Sequence, residues 1–219
     1  IDVNVSSGQN DASVLKQIAD QAVADEVDVI IPIATLAAQI SAVSAENSDI
    51  PIIYAAISDP EGAELTGLNR VSGTSDALNT KFIMEMILKQ DPDIQKVGLL
   101  YSLSETNSIR PIAEAKAYLD EHGIAYAEAV GNTTDEIISS ASVLISEKVD
   151  AIFTPTDNVV MAAELAIAPL FVEAGIPHYA GADSFVRNGA YATCGVNYTD
   201  LGRQTADLAY KIMSEGFND

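Results

Sequence analysis

Short apolar runs alternate with longer amphipathic segments along nearly the whole chain, and this alternation most constrains the fold. Residues 27–33 (VDVIIPI) and 96–101 (KVGLLY) are β-rich, whereas residues 12–26 carry apolar side chains at helical spacing. Continuous apolar runs are typical of strands buried on both faces of a parallel sheet. The pattern therefore predicts an α/β fold with doubly wound parallel sheets and right-handed crossovers.

The alternation forms two series, separated by a polar stretch at 58–76. The predicted strands are 1–5, 27–33, 50–55, 96–101, 125–130, 151–154, 176–180 and 190–194. The predicted helices are 12–26, 36–45, 76–90, 107–122, 134–147, 157–173 and 201–214. Thr35 and Asp76 are predicted as N-caps, and Gly123, Gly175 and Gly216 as the residues that end helices. The best boundary between the two series lies at 72–76.

Charge and composition exclude several classes of partner. The chain has 11 basic and 32 acidic residues, a net charge of −21, which argues against nucleic acid and against anionic membrane surfaces. Hydrophobic residues make up 48% of the chain, enough for a core. Cys194 is the single cysteine, which excludes an intramolecular disulfide and a cysteine metal cluster. We interpret it as a small hydrophobic residue in a strand.

Short, polar and mostly uncharged loops follow the predicted strands. In open α/β sheets, ligands bind beyond the carboxyl ends of the strands. These loops are 34–35, 58–60, 73–76, 102–108, 154–158 and 181–184. Backbone N–H groups at helix starts suit an anion, and Asp157 and Asp183 suit an ammonium, so the loops together fit a small zwitterion. Because Ser, Thr, Asp and Asn are also preferred N-caps, helix capping remains an alternative at each position.

Catalytic and metal-binding templates fit the chain poorly. The two histidines are His122, in the last turn of a predicted helix, and His178, which has no evident partner in the sequence. No zinc-protease, nucleophile-elbow, phosphate-loop or dinucleotide-binding motif occurs. The sequence thus predicts no catalytic residue, no metal site and no cofactor, and an enzyme is the least favoured class.

Several short motifs, in order along the chain, resemble the ABC-transporter substrate-binding proteins of the tryptophan/tyrosine-binding-like group. No single motif is decisive, and their order carries the resemblance. The motifs are Ile33-Ala34-Thr35 with Ala38-Gln39, Ile50-Pro51-Ile52, Ser58-Asp59-Pro60, Gly73-Thr74-Ser75, Thr106-Asn107-Ser108, Pro155-Thr156-Asp157-Asn158, Gly181-Ala182-Asp183, and Gly189-Ala190 leading to Tyr198, Leu201 and Gly202.

The resemblance implies a type I periplasmic-binding-protein fold, with two lobes joined by a hinge and a ligand that is an amino acid in several members. It implies eight ligand-binding residues, four from each lobe: Thr35, Ser58, Thr74 and Ser75, then Asn107, Ser108, Asp157 and Asp183. We expect Asp157 or Asp183 to bind the ammonium, and the Thr74/Ser75 and Asn107/Ser108 groups to bind the carboxylate. Tyr54, Tyr101 and Tyr198 either flank the ligand or pack in the core.

The resemblance also implies where the lobes divide. The first lobe comprises 1–74 and 195–219 and the second 75–194, so the last helix packs on the first lobe. The family's first strand and helix precede Ile1 and its final strands follow Asp219, so we expect a chain truncated at both ends.

Two principal functions follow. The leading one is an extracytoplasmic, monomeric solute receptor of an ABC importer, periplasmic or lipid-anchored. It would capture a small zwitterion, with an aromatic amino acid favoured, and dock on the membrane permease. The alternative is the ligand-sensing domain of a transcription regulator, which shares this fold but needs an attached DNA-binding segment.

Overall fold

The structure, a computed structural model, describes residues 2–217 and contains helices and strands in near alternation. The helices are α1 (Ala12–Ala24), α2 (Thr35–Ser44), α3 (Thr80–Gln90), α4 (Thr106–Glu121), α5 (Thr134–Ser146), α6 (Asn158–Ala174), α7 (Asp183–Arg187) and α8 (Tyr198–Glu215). The strands are β1 (Ile52–Tyr54), β2 (Val71–Gly73), β3 (Lys96–Tyr101), β4 (Ala125–Val130), β5 (Ala151–Thr154), β6 (His178–Ala180) and β7 (Ala192–Thr193). No helix among the described residues is long and apolar enough to cross a bilayer.

The chain divides into two compact units. Unit 1 contains residues 2–77 and 197–217, and unit 2 is the contiguous segment Leu78–Val196. Unit 1 therefore holds α1, α2, β1, β2 and α8, and unit 2 holds the remaining elements.

Unit 2 is built on a five-stranded parallel sheet in the order β4-β3-β5-β6-β7. Alternate residues of β3 face opposite layers. Val97, Leu99 and Tyr101 belong to a core that includes the apolar faces of α3 and α4. On the other side, Gly98 lies close to Leu144 of α5. Helices thus cover both faces, as predicted for a doubly wound sheet.

Unit 1 has a smaller sheet, in which β1 and β2 pair in parallel from Ile52 with Val71 to Tyr54 with Gly73. Its core has two parts, because β1 presents alternate side chains to opposite sides. Tyr54 packs with residues of α2 and with Leu65, whereas Ile53 packs with the inner face of α8.

Two predicted strands of unit 1 are corrected by the structure. Residues 2–5 have no regular structure and leave Val3 and Val5 exposed, since no other strand pairs with them; residue 1 lies outside the described part. Residues 27–33 form only isolated bridges, from Ile30 to Ile52 and from Ile33 to Ala55. This segment is bonded along one edge, and Pro32 has no N–H to donate.

Two predicted helix caps are also wrong. The cap position of α2 is Ala34, whose side chain makes no capping bond, and Thr35 is the first helical residue. Helix α3 begins only at Thr80, where the Asn79 side chain accepts from a backbone N–H. Asp76, expected as that cap, is buried and binds side chains of unit 1 instead. The sequence analysis also did not predict β2 or α7.

Candidate functional site

The carboxyl ends of β3 and β5 bring three of the predicted binding residues together in unit 2. Ser108, in the first turn of α4, donates its hydroxyl to Asp157 Oδ2 at 2.7 Å. The backbone N–H of Ser102, just after β3, donates to the same oxygen at 2.7 Å. Asn107 donates from Nδ2 to the carbonyl of Thr156 at 2.7 Å. The loops after the two strands are therefore joined by side-chain hydrogen bonds.

Asp157 is the centre of this arrangement and is fully buried. Its Oδ1 caps α6 by accepting from the N–H groups of Val159 and Val160, each at 3.0 Å. Burial raises the pKa of its carboxyl, and the four hydrogen bonds oppose that rise. A carboxylate offers about four acceptor positions. All are occupied by protein groups, so Asp157 organises the loops rather than presenting a free oxygen.

Asn107 provides an unsatisfied hydrogen-bond acceptor at the carboxyl ends of β3 and β5. Its side chain is buried, and its Oδ1 has no hydrogen-bond partner among residues 2–217. An unpaired buried acceptor costs about 1–3 kcal/mol. A donor group supplied from outside the chain, such as an ammonium, would satisfy it.

A second polar network lies beside Ser102 and was missed by sequence analysis. The Ser102 hydroxyl donates to Asn132 Oδ1 at 3.1 Å and lies 2.7 Å from the Ser104 hydroxyl. Buried Glu105 accepts from Asn158 Nδ2 at 3.0 Å. The loops after β3, β4 and β5 thus hold one another by hydrogen bonds, in a segment whose sequence signals only turn and cap residues.

The loop after β6 approaches the loop after β5 closely. A Cβ on Gly181 would lie 2.8 Å from the backbone nitrogen of Thr156, which leaves room only for glycine. Asp183 begins α7 and pairs with Arg187 of the same short helix. Its carboxylate remains partly exposed, unlike that of Asp157.

In unit 1, a buried carboxylate joins two hydroxyl groups. Asp76 Oδ1 accepts from the Ser58 hydroxyl and Oδ2 from the Tyr198 hydroxyl, both at 2.8 Å. Asp76 and Tyr198 were not among the predicted binding residues. The position of Asp76 in the predicted loop 73–76 is the signal that could have indicated the first of them.

Thr74 and Ser75 follow β2 and differ in their surroundings. The Thr74 hydroxyl lies 2.6 Å from that of Thr205, which itself donates to the carbonyl of Leu201 at 2.8 Å. Thr205 has one hydroxyl proton, so Thr74 is the donor between them. Ser75 accepts from the N–H of Ala77 at 3.1 Å and is exposed.

Two alanines at the ends of the paired segments of unit 1 have positive φ. Ala34, just before the buried Thr35, has φ 72° and ψ 160°, and Ala56, just after β1, has φ 58°. The first conformation is nearly restricted to glycine and costs about 1–3 kcal/mol. Strain of this kind concentrates at functional sites, and alanine gives no sequence signal of it.

The buried His178 has partners that its sequence neighbours do not reveal. Its Nδ1 lies 3.1 Å from Glu164 Oε1 and its Nε2 lies 2.9 Å from the Thr154 hydroxyl. Both ring nitrogens are thus occupied inside unit 2. His122 ends α4 and stacks on Tyr118. Among residues 2–217, no three His, Cys, Asp or Glu side chains converge to hold a metal ion.

Comparisons with known proteins find one matching family and several similar chains. A sequence model of the family described as "ABC transporter substrate binding protein" matches residues 1–217. The Tyrosine-binding protein of Clostridioides difficile (strain R20291) is 31% identical over 218 residues. That alignment covers 97% of this chain and 62% of the relative, so the chain spans less than two thirds of its length.

Two solved structures resemble the chain closely. The ABC domain of Streptococcus pneumoniae in complex with L-Trp is 31% identical, with a TM-score of 0.90, over 98% of this chain and 75% of that one. A conserved domain protein of Vibrio cholerae is 29% identical, with a TM-score of 0.89, over 96% of this chain and 72% of that one.

Proposed function

Because the chain belongs to the ABC transporter substrate-binding protein family, we propose that it is the solute receptor of an ABC importer. Its α/β architecture is that of type I periplasmic binding proteins. The proposed ligand is an amino acid, with an aromatic side chain favoured. The tyrosine-binding relative and the L-Trp complex, both about one third identical to this chain, support this ligand class.

One observation in the structure carries the proposal: the unpartnered Oδ1 of buried Asn107 beside the loops after β3 and β5. We propose that it accepts from the ligand's ammonium, together with the partly exposed carboxylate of Asp183. Ser108 and Asp157 hold Asn107 and the start of α6 in place. This assignment differs from the expectation that Asp157 or Asp183 binds the ammonium and that Asn107 and Ser108 bind the carboxylate, because the oxygens of Asp157 and the hydroxyl of Ser108 are already hydrogen-bonded.

For unit 1, we propose that Thr35, Ser58, Thr74 and Ser75 contribute to recognition of the ligand, with Thr74 and Ser75 at its carboxylate. The Thr74 hydroxyl donates its proton to Thr205, whereas the Ser75 hydroxyl accepts from the Ala77 N–H and keeps its own proton as a donor for the carboxylate. The exposed side of this loop is made of short, uncharged side chains, so an anionic group meets no fixed negative charge there.

The proposed setting follows from the family. The receptor would act outside the cytoplasm, either in the periplasm or lipid-anchored at the outer face of the membrane, and deliver its ligand to an ABC permease. It would act as a monomer, without cofactor or catalysis. The alternative, the sensor domain of a transcription regulator, gains no support from a net charge of −21.

A thermal-shift screen of the twenty amino acids, then sugars and nucleosides, tests the ligand class. A ligand at 100 times its Kd stabilises the fold by about 2.7 kcal/mol, which is readily detected. We expect L-tyrosine or L-tryptophan to give the largest shift. Stabilisation by a sugar or nucleoside, with none by any amino acid, would contradict the proposal.

Isothermal titration of two variants tests the site. Asn107→Ala removes the open acceptor, and we expect about 10- to 100-fold weaker binding, since a hydrogen bond to a charged group contributes about 1.5–3 kcal/mol. Asn47→Ala, at an exposed position of unit 1, is the matched control. Equal affinity of the two variants would disprove the role of Asn107.

A further inference from the structure

A cleft lies at the amino ends of the strands of unit 2, on the side opposite the binding loops, which follow the carboxyl ends. We call it the amino-edge cleft. It has a volume of about 380 Å³, within the range of small-molecule sites. The residues that line it include the end of α3, the end of α6, and the segment that leads into β6. In a parallel α/β sheet these are amino-edge positions, whereas the loops described above follow the carboxyl ends of the strands.

The walls of this amino-edge cleft are mainly aromatic. Phe171, Tyr179 and Tyr191 line it, and the rings of the two tyrosines meet edge to face with centroids 5.5 Å apart. Gly189 also lines it, at a φ of 123° where a Cβ would lie 2.7 Å from that of Ala168. The backbone there thus closes tightly on α6, and of the three rings only that of Tyr191 is exposed, whereas Phe171 and Tyr179 form the buried floor of the cleft.

The cleft presents several hydrogen-bond acceptors. Tyr179 lines the cleft, although the residue as a whole is only 1% exposed. Asp91 also lines the cleft, and its charge, after burial and Tyr191, helps to raise the pKa of Tyr179 to about 12. Gln90 donates its amide nitrogen to the Tyr191 hydroxyl at 3.0 Å, which leaves the amide oxygen as a further acceptor.

The backbone adds negative potential at the same place. Helix α3 ends at Gln90 and helix α6 ends at Ala174, so two helix C-termini border the cleft. Each carries a partial negative charge of about half an elementary charge. No lysine or arginine lines the cleft within the described residues, and both ring nitrogens of His178 are occupied.

We propose that the amino-edge cleft is a second ligand site, which binds a small organic cation with an aromatic body, such as an arylalkylamine. The ammonium would lie near Asp91 and the two helix C-termini, and would donate to the Tyr179 hydroxyl. The aromatic body would pack against the exposed ring of Tyr191, where edge-to-face or stacked contact adds to apolar burial. The proposal does not depend on the identity of the ligand at the carboxyl edge.

Titration with 2-phenylethylamine, followed by two-dimensional amide NMR, tests the proposal. We expect saturable binding with a Kd at or below about 1 mM, and shift changes confined to residues 89–91, 175–179 and 189–191. Saturating L-tryptophan should leave those changes in place. Absence of saturable binding, or displacement by L-tryptophan, would overturn a separate second site.

Matched variants test its chemistry. Asp91→Asn keeps the side-chain shape and removes the charge, and we expect at least about fivefold weaker binding of the amine. Asp93→Asn, exposed and outside the cleft, is the control and should bind as the unmodified chain does. Tyr179→Phe should weaken binding about fivefold through loss of one hydrogen bond. Equal effects of the two aspartate variants, or equal binding of neutral 2-phenylethanol, would show that no cation is recognised.

Discussion

The Tyr198 hydroxyl donates to Asp76 Oδ2 at 2.8 Å, although the two residues are 122 positions apart in the chain. Asp76 precedes the point where the chain leaves unit 1, and Tyr198 follows the point where it returns. Ser58 occupies the other carboxylate oxygen. One buried acid therefore joins, within unit 1, the two segments through which the chain crosses to unit 2 and back.

Replacing Tyr198 by phenylalanine tests this connection. Tyr198→Phe leaves a buried carboxylate oxygen without its donor, and we expect unit 1 to lose about 1–2 kcal/mol of stability in urea denaturation. Tyr210→Phe, at an exposed position of the same helix, should change stability by less than about 0.5 kcal/mol. Equal stability of both variants would mean that the hydrogen bond contributes nothing.

Asp157 gives a pH-dependent prediction. Its pKa is raised by burial, so the folded chain holds this proton more tightly than the unfolded chain, whose value is about 3.9. Its contribution to stability is thus complete below that value and declines as the pH rises through the raised pKa. Asp157→Asn places an amide nitrogen against backbone N–H donors, and we expect a loss of about 2 kcal/mol or more.

Urea denaturation at two pH values measures this effect. The free energy of unfolding of the unmodified chain should exceed that of Asp157→Asn by more near about pH 4 than near about pH 7. A difference that is equal at both values, or larger at neutral pH, would contradict the raised pKa.

Two glycines make a matched pair for testing the contact between the loops after β5 and β6. Gly181→Ala would place a methyl group 2.8 Å from the Thr156 nitrogen, a backbone atom that cannot move away cheaply. We expect a loss of about 1–3 kcal/mol. Gly202→Ala, in α8 with nothing within 4 Å, should instead stabilise the chain by about 0.5–1 kcal/mol. Thermal denaturation of both variants measures the contrast.

The substitution Ala34→Gly tests whether the backbone conformation at Ala34 costs stability. Ala34→Gly removes the Cβ at φ 72° and ψ 160°, and we expect a gain of about 1 kcal/mol. Ala38→Gly, in the interior of α2, should lose about 1 kcal/mol or more, because the helical backbone there favours alanine. Destabilisation by Ala34→Gly would show that the conformation is not strained.

The sheet of unit 2 could be predicted from sequence because its signals are local. The predicted strands 96–101, 125–130 and 151–154 are confirmed residue for residue. The helix ends are also confirmed at Gly123 and Gly175, which have φ values of 67° and 70°. An apolar run buried on both faces and a glycine after a helix need no distant partner to be recognised.

Unit 1 was predicted less well because its structure depends on distant pairing. Val71-Ser72-Gly73 has little strand character, and it becomes β2 only by pairing with β1. Residues 27–33 have a strong strand pattern but bond along one edge only. Asp76 has the sequence context of a helix cap, and its actual partners lie 18 and 122 residues away.

The candidate site shows the same limit. Loop positions after strands pointed to Asn107, Ser108 and Asp157, but not to the way in which their oxygens are used. Whether a carboxylate is free or saturated depends on donors such as the Ser102 N–H, 55 residues from Asp157. Tyr54 and Tyr101, considered as ligand neighbours, belong to the cores of unit 1 and unit 2.

The insertion of unit 2 within unit 1 has a consequence for biosynthesis. Unit 2 is contiguous, so all of its residues are translated before α8. Unit 1 lacks the inner face of α8, including Ala209 and Ile212 beside Ile53, until α8 itself has been synthesised. Unit 2 can therefore complete its own contacts in the order of synthesis, whereas the core of unit 1 has to wait for α8.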